Sequence, residues 1–163
     1  MALGSCFCKK IQIEYTNEPV TSALCHCIDC RKLTGTLYTY SFVFKRSDLT
    51  ITGSPKEVAK TSDSGNHIKN YFCPDCGVYC VINSESIVLA NNYRGTPLYG
   101  HRIKPSGVPD EITIVRAGIF DDIEVLNQHK PTIEIYIGGR VGWLCPLDGV
   151  NQFIGMPLVK SND

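Results

Sequence analysis

Nine cysteines, seven of them in three short blocks, limit the fold of this 163-residue chain more than any other feature. Within each block, neighbouring cysteines are one or two residues apart. This spacing suits a metal ion, because a tight turn can direct both sulfurs at it. Disulfides are rare in a reducing cytosol, and an odd number of cysteines leaves one unpaired. The blocks contain Cys6 and Cys8, then Cys25, Cys27 and Cys30, then Cys73 and Cys76, whereas Cys80 and Cys145 stand apart.

The first and third blocks predict a closed zinc site. In CPDCG, two thiolates flank a turn, and Gly77 allows the backbone to curl beneath a metal. This pair supplies half of a tetrahedron, and Cys6 with Cys8 is the only other complete pair outside the central block. Four thiolates leave no position for a substrate. We therefore predict that Cys6, Cys8, Cys73 and Cys76 hold a structural zinc.

The central block, CHCIDCRK, predicts a different kind of site. Three protein ligands plus an open position are typical of a catalytic zinc, which can polarise a carbonyl or activate a thiol. Arg31 and Lys32 follow at once, and they could offset thiolate charge or bind an anionic substrate. Two alternatives stay open: Cys80 or Cys145 could close the site as a fourth ligand, and His26 could also serve.

Composition excludes some classes of function. The charges balance, with 16 Lys and Arg against 16 Asp and Glu, so a broad electrostatic grip on nucleic acid or anionic lipid is not expected. No apolar run reaches the ~20 residues that span a bilayer, and the start of the chain lacks the apolar run of a secretory signal. We expect a single cytoplasmic domain over residues 1–163, with a small-molecule partner, no nucleic acid and no membrane. A homo-oligomer stays open.

The segments between the cysteine blocks predict β structure. KKIQIEYT alternates isoleucine with polar residues, as a strand with one buried face does. LYTYSFVFKRSDLTITG, EITIVRAGIF and TIEIYIG are rich in β-branched and aromatic residues, and YCVINSESIVLANNY predicts two strands around a turn. Only short helices are expected, near DDIEVLNQ and after Cys30. The fold class is therefore mainly β and mostly antiparallel.

The blocks GSCFC, CHCIDCRKLTGT, YFCPDCGVY, RAGIFDD and GGRVGW resemble, in order and spacing, the glutathione-dependent formaldehyde-activating enzyme family, which includes centromere protein V. The resemblance implies an Mss4-like fold of stacked antiparallel sheets with two zinc sites. It also implies the same division of the seven cysteines into one structural and one catalytic zinc. The family's reaction joins formaldehyde and glutathione into S-hydroxymethylglutathione, or reverses this step, as a carbon–sulfur lyase.

Two hypotheses of function follow. The first is a zinc-dependent carbon–sulfur lyase acting on a glutathione or other thiol adduct, in which His26 carries a proton and Arg31 binds an anionic group. Residues 94–111, with Tyr99, His101, Arg102 and Lys104, could line a pocket mouth for a larger adduct or form a surface loop. The second is a non-catalytic zinc module for a protein or chromatin partner. Three further predictions are that Trp143 packs in the core, that Cys80 and Cys145 are buried, and that Asp29 accepts amide protons in the cysteine loop.

Overall fold

The computed structural model describes residues 2–61, 67–83, 96–97, 112–156 and 158–159. Its strands, in chain order, are β1 (Ala2–Ser5), β2 (Gln12–Tyr15), β3 (Thr21–Cys25), β4 (Thr39–Lys45), β5 (Leu49–Thr52), β6 (Lys56–Thr61), β7 (His67–Phe72), β8 (Tyr79–Asn83), β9 (Thr96–Pro97), β10 (Ile112–Arg116), β11 (Ile133–Ile135), β12 (Asn151–Phe153) and β13 (Leu158–Val159). Two short helices are α1 (Ile28–Thr34) and α2 (Ile123–Gln128). The prediction of a mainly β chain with short helices at these two places is confirmed.

The strands form a large sheet and smaller ones. Eight strands pair in the order β12-β11-β3-β4-β10-β8-β7-β6, three pair as β1-β2-β5, and β13 pairs with β9. Most pairs are antiparallel, but β11 is parallel to both β3 and β12. Strand β4 lies centrally in the large sheet, between β3 and β10, and carries Phe42, Val43 and Phe44, all fully buried. Aromatic and β-branched residues favour such a position because they pack well on a pleated surface.

The main hydrophobic core joins the three-stranded sheet to the large one. Ile13 and Tyr15 on β2 contribute to it from one side, and Phe42 and Phe44 on β4 from the other. The Tyr15 and Phe44 rings lie 4.8 Å apart between centroids. Strand β2 buries alternate residues, as KKIQIEYT predicts. A second, smaller core cluster packs Ala23 and Cys25 of β3 against β11. The described residues therefore form two separate clusters of buried apolar side chains.

The late segment differs from its prediction. Trp143 is 73% exposed, and Cys145 is also exposed, so the predictions that they are buried are wrong. Residues 137–150 form a single-turn 3-10 helix over Ile137–Gly139 followed by bends and turns, and they contain no strand. The predicted turn after Asn83, and residues 98–111 with Tyr99, His101, Arg102 and Lys104, lie outside the described residues. None of the described helices combines the length and apolar character that crossing a membrane requires.

Candidate metal centres

The first cysteine group brings four sulfurs together from two turns. Cys6, Cys8, Cys73 and Cys76 have sulfur atoms that all lie within 4.8 Å of one another. The Cys6 and Cys8 sulfurs lie 3.5 Å apart, and the Cys8 and Cys73 sulfurs lie 3.6 Å apart. A tetrahedral zinc with Zn–S bonds near 2.3 Å needs sulfurs roughly 3.8 Å apart. The four sulfurs therefore fit a closed tetrahedral ion, and we call them the four-cysteine centre.

Each half of the four-cysteine centre is a tight turn with one left-handed residue. In the second turn, the Gly77 N–H donates to the Cys73 carbonyl over 2.9 Å, and Gly77 has φ +72°. This is the conformation that the glycine in CPDCG predicts. In the first turn, the Lys9 N–H donates to the Cys6 carbonyl over 2.8 Å, and Lys9 has φ +61°. A lysine pays a steric penalty of about 1 kcal/mol there, so the surrounding contacts hold this turn against its own preference.

The four-cysteine centre belongs to the main core. Cys6 and Cys73 are almost fully buried, and both lie in the large core cluster with the aromatic residues of β4. The Ile11 N–H donates to the Cys6 sulfur over 3.3 Å. Hydrogen bonds from the backbone at Val78 and at Cys8 lower the pKa of Cys76 to about 6. Backbone donors thus favour the thiolate form that metal binding requires.

The second cysteine group, the three-cysteine centre, is built within a single strand–helix junction. Cys25 ends β3, Cys27 caps the start of α1, and Cys30 lies in its first turn; their sulfurs lie within 4.8 Å of one another. The Cys27 sulfur accepts a hydrogen bond from the Cys30 N–H over 3.3 Å. Helix α1 then ends at Gly35, with φ +67°, as the sequence LTGT suggests.

Two of the three predicted fourth ligands, Cys145 and His26, do not join this centre, and the third, Cys80, has no described side chain. Cys145 is exposed and lies outside both sulfur groups. Cys80 lies in β8, where side chains fall outside the described part of the structure. His26 is also absent from the sulfur groups that the described residues form. Among the described residues, the three-cysteine centre therefore offers a metal ion three sulfur ligands.

His26 points into the protein interior and pairs with a buried carboxylate. Its Nε2 lies 2.7 Å from Oε1 of Glu134, and neither side chain is more than 2% exposed. Arg140 also contacts Glu134, over 3.1 Å. Burial alone would raise the pKa of Glu134, but the hydrogen bonds from His26 and Arg140 outweigh it and keep that pKa below its usual value. Because a carboxylate only accepts, Nε2 carries the hydrogen, and the lone pair of a neutral ring lies on Nδ1.

The backbone around His26 is equally constrained. The His26 N–H donates to the Ile135 carbonyl over 3.1 Å. A Cβ placed on Gly139 would lie 2.6 Å from the His26 carbonyl oxygen, so only glycine allows this approach. Nearby, Tyr136 has φ +57°, an unfavourable conformation for a tyrosine. The β11 strand and the turn after it thus fix the His26 loop in one position.

A cavity of about 490 Å³ lies beside the three-cysteine centre. Arg31 of α1 lines it, and the Nε atom of Arg31 is buried without a hydrogen-bond partner among the described residues. Nζ of Lys60 on β6 lies 2.5 Å from Oδ1 of Asp29, and the two side chains form an ion pair. The cavity thus combines a thiolate centre, a guanidinium and an apolar side. Six of its lining residues are His26, Cys27, Arg31, Lys60, Tyr136 and Ile154.

Three charged residues near the three-cysteine centre were missed in the sequence: Glu134, Arg116 and Lys60. Glu134 lies in TIEIYIG, where alternation places it on the solvent side. Strand β11 is instead flanked by strands on both sides and buries all three of its residues. Arg116 lies within RAGIFDD, and its Nη2 donates to the Cys30 sulfur over 3.6 Å. For Glu134 and Arg116, the one sign of a role in the site was a charged residue inside an otherwise apolar strand sequence.

Comparison with known proteins identifies a family. A family model described as "Glutathione-dependent formaldehyde-activating enzyme" matches residues 1–91, more than half of the 163 residues and all seven clustered cysteines. No curated protein matches the chain. Among solved structures, a Rhodobacter sphaeroides protein from a structural genomics programme is 18% identical, with a TM-score of 0.43, and the match covers 93% of this chain and 98% of that one.

Proposed function

The chain belongs to the glutathione-dependent formaldehyde-activating enzyme family, and from that premise we propose that it is a zinc-dependent carbon–sulfur lyase. Its substrate would be a thiol adduct, such as S-hydroxymethylglutathione or a related conjugate. In the forward direction, a thiolate sulfur adds to an aldehyde carbon and the carbonyl oxygen takes a proton. Cleavage reverses both events, so the site must handle a thiolate, a carbonyl and one proton.

This proposal rests on the different number of sulfur ligands in the two centres. Four sulfurs saturate a tetrahedral ion, whereas Cys25, Cys27 and Cys30, the sulfurs grouped there among the described residues, would leave one position for substrate beside a cavity of about 490 Å³. A zinc ion bound there would supply Lewis acidity, which stabilises a thiolate and polarises a carbonyl. The same ion among four cysteines has no access to substrate, so we assign the four-cysteine centre a structural role.

Two side chains support an acidic thiol as the substrate class. Arg31 lines the cavity, and we assign its guanidinium to a carboxylate of the substrate. His26 lines the same cavity, and Glu134 holds its ring in one tautomer. We assign to His26 the proton that the substrate oxygen gains or loses.

The proposal is tested by measuring exchange between glutathione, formaldehyde and their adduct with the zinc-loaded protein, using NMR exchange spectroscopy. The uncatalysed exchange is measured under identical conditions and subtracted. We expect acceleration that Cys27→Ser abolishes and that Cys145→Ser, which removes an exposed thiol outside both centres, leaves intact. A zinc-loaded protein that accelerates neither this exchange nor that of other acidic thiols would contradict the proposal and favour the non-catalytic zinc module.

A further inference from the structure

Arg116 is the charged residue most directly in contact with the three-cysteine centre. It ends β10 and is 7% exposed. Its cross-strand partner on β4 is Ser41, whose hydroxyl oxygen accepts a hydrogen bond from Nη1 over 2.8 Å. Its Nη2 donates to the Cys30 sulfur over 3.6 Å. The two contacts use two nitrogens of one planar guanidinium, so the sheet aims the positive charge at the sulfur.

A charge count shows why such a contact matters. Three thiolates and one divalent cation carry a net charge of −1, and a thiolate ligand in the fourth position makes it −2. Cys25 and Cys30 are each only 9% exposed, so water compensates little of this charge. Uncompensated buried charge is strongly unfavourable. Arg116 would restore the net charge to 0 without the added ligand and to −1 with it.

We propose that Arg116 is the buried counter-charge that allows the three-cysteine centre to accept an anionic sulfur ligand. It is a positioning residue, since it acts through Cys30 and not on the substrate. This inference rests on the proposed function, because only that function requires a thiolate at the open position.

Arg31 and Arg116 have different surroundings. Arg31 lines the cavity that contains Cys27, and we assign it to a carboxylate of the substrate. Arg116 lines a different cavity, of about 670 Å³, together with Thr34, Tyr38 and Tyr40. Substrate specificity and charge compensation are thus separable by mutation. Binding of a thiol that carries no carboxylate should therefore depend on Arg116 and not on Arg31.

The test uses protein loaded with Co²⁺ at both centres and titrated with 2-mercaptoethanol, a thiol without a carboxylate. Sulfur-to-cobalt charge-transfer absorption reports binding, and imidazole serves as the neutral ligand. Arg116→Gln keeps a donor for Ser41 and removes the charge. We expect it to weaken thiol binding about tenfold, as losing a charge-assisted hydrogen bond does, while imidazole binding changes less than about threefold. Arg46→Gln, which removes a guanidinium bonded only to the Leu49 carbonyl among the described contacts, is the matched control.

Four outcomes are informative. Equal loss of thiol and imidazole binding in Arg116→Gln would indicate a merely structural role and overturn the inference. Unchanged thiol binding would also overturn it, while leaving the proposed function intact. Failure of the unmutated protein to bind any thiol would overturn both. If Arg116→Gln does not fold with two metals bound, Arg116→Lys is used as the test instead. Because lysine keeps the positive charge, we expect its thiol affinity to lie within about threefold of that of the unmutated protein. A tenfold loss of thiol affinity in Arg116→Lys would contradict the inference.

Discussion

The two cysteine centres use the same sulfur chemistry over very different lengths of chain. The four-cysteine centre joins residues 65 positions apart, from Cys8 to Cys73. The three-cysteine centre gathers its sulfurs from Cys25 to Cys30, within one strand–helix junction. The first lies in the main hydrophobic core and the second in the smaller cluster against β11. One centre ties distant parts of the chain together, whereas the other joins only neighbours.

From this difference we expect the four-cysteine centre to stabilise the fold and the three-cysteine centre to serve the proposed chemistry. A crosslink between distant residues removes much of the conformational entropy of the unfolded chain, whereas one between near neighbours removes little. A structural metal also contributes its binding free energy to folding outright. The three-cysteine centre is largely assembled by backbone that β3 and α1 already order. It can therefore leave one coordination position open at little cost to the fold.

Cys76→Ser should have the largest effect on the molecule. It leaves three sulfurs at the four-cysteine centre, and up to about 10 kcal/mol of metal-binding free energy is weakened or lost. We expect little soluble folded protein, measured by circular dichroism and by the zinc content of the soluble fraction. Cys145→Ser controls for thiol removal as such. A folded Cys76→Ser protein that lacks one zinc would show that this centre does not support the fold.

Cys27→Ser should have the opposite effect: it should lower activity and leave the fold intact. We expect the protein to fold with a melting temperature close to that of the unmutated chain and to bind one zinc in place of two. Activity should fall by about a hundredfold or more, because the Lewis acid is lost. The exchange assay, zinc analysis and thermal unfolding together check this. Full turnover with that zinc absent would refute a catalytic role for the centre.

Glu134→Gln should destabilise the protein in a pH-dependent manner. The pKa of Glu134 lies below 4.5, its unfolded value, so its stabilising effect is complete above that value and is lost as the pH falls through the folded pKa. Breaking this buried pair should cost about 3 kcal/mol at pH 7. Urea unfolding of both proteins, from pH 7 to pH 3, should show a difference that is constant above about pH 5.5 and shrinks below pH 4.5. A difference independent of pH would mean that the carboxylate charge is not what stabilises His26.

Arg31→Met should give the smallest effect and sharpen the comparison at the cavity. We expect KM for an acidic thiol to rise about tenfold, because the bound carboxylate loses a charge-assisted partner. KM for a neutral thiol should stay unchanged. Lys32→Met, one residue away on the exposed side of α1, is the matched control. Equal increases in KM for both thiols would place the carboxylate of the substrate elsewhere.

Local patterns in the sequence predicted both cysteine centres better than the residues around them. The spacing of Cys73, Cys76 and Gly77 is a property of one turn, and the left-handed Gly77 forms as expected. The alternation in KKIQIEYT correctly predicted a strand that buries one face, and α2 begins within DDIEVLNQ, whereas α1 begins at Ile28, two residues before the predicted position after Cys30. In each case, neighbouring residues determine the structure.

The residues that were missed depend on contacts between distant segments. Strand β11 pairs parallel with β3, which brings Glu134 to His26, 108 residues away in the chain. Arg116 reaches Cys30 because β10 and β4 pair with Ser41 opposite it. Trp143 was predicted to be buried because its side chain is apolar, but it lies on turns that no sheet covers and is exposed. Asp29 pairs with Lys60 of β6, where local reasoning expected it to accept amide protons.

The most direct test of the account is a crystal structure of the zinc-loaded protein at the zinc absorption edge, with and without glutathione. Anomalous difference density should show one ion surrounded by Cys6, Cys8, Cys73 and Cys76, unchanged by the soak. A second ion should be held by Cys25, Cys27 and Cys30 alone, with the glutathione sulfur in its fourth position after soaking. A fourth ligand from the protein on that second ion, retained at saturating glutathione, would contradict the central claim.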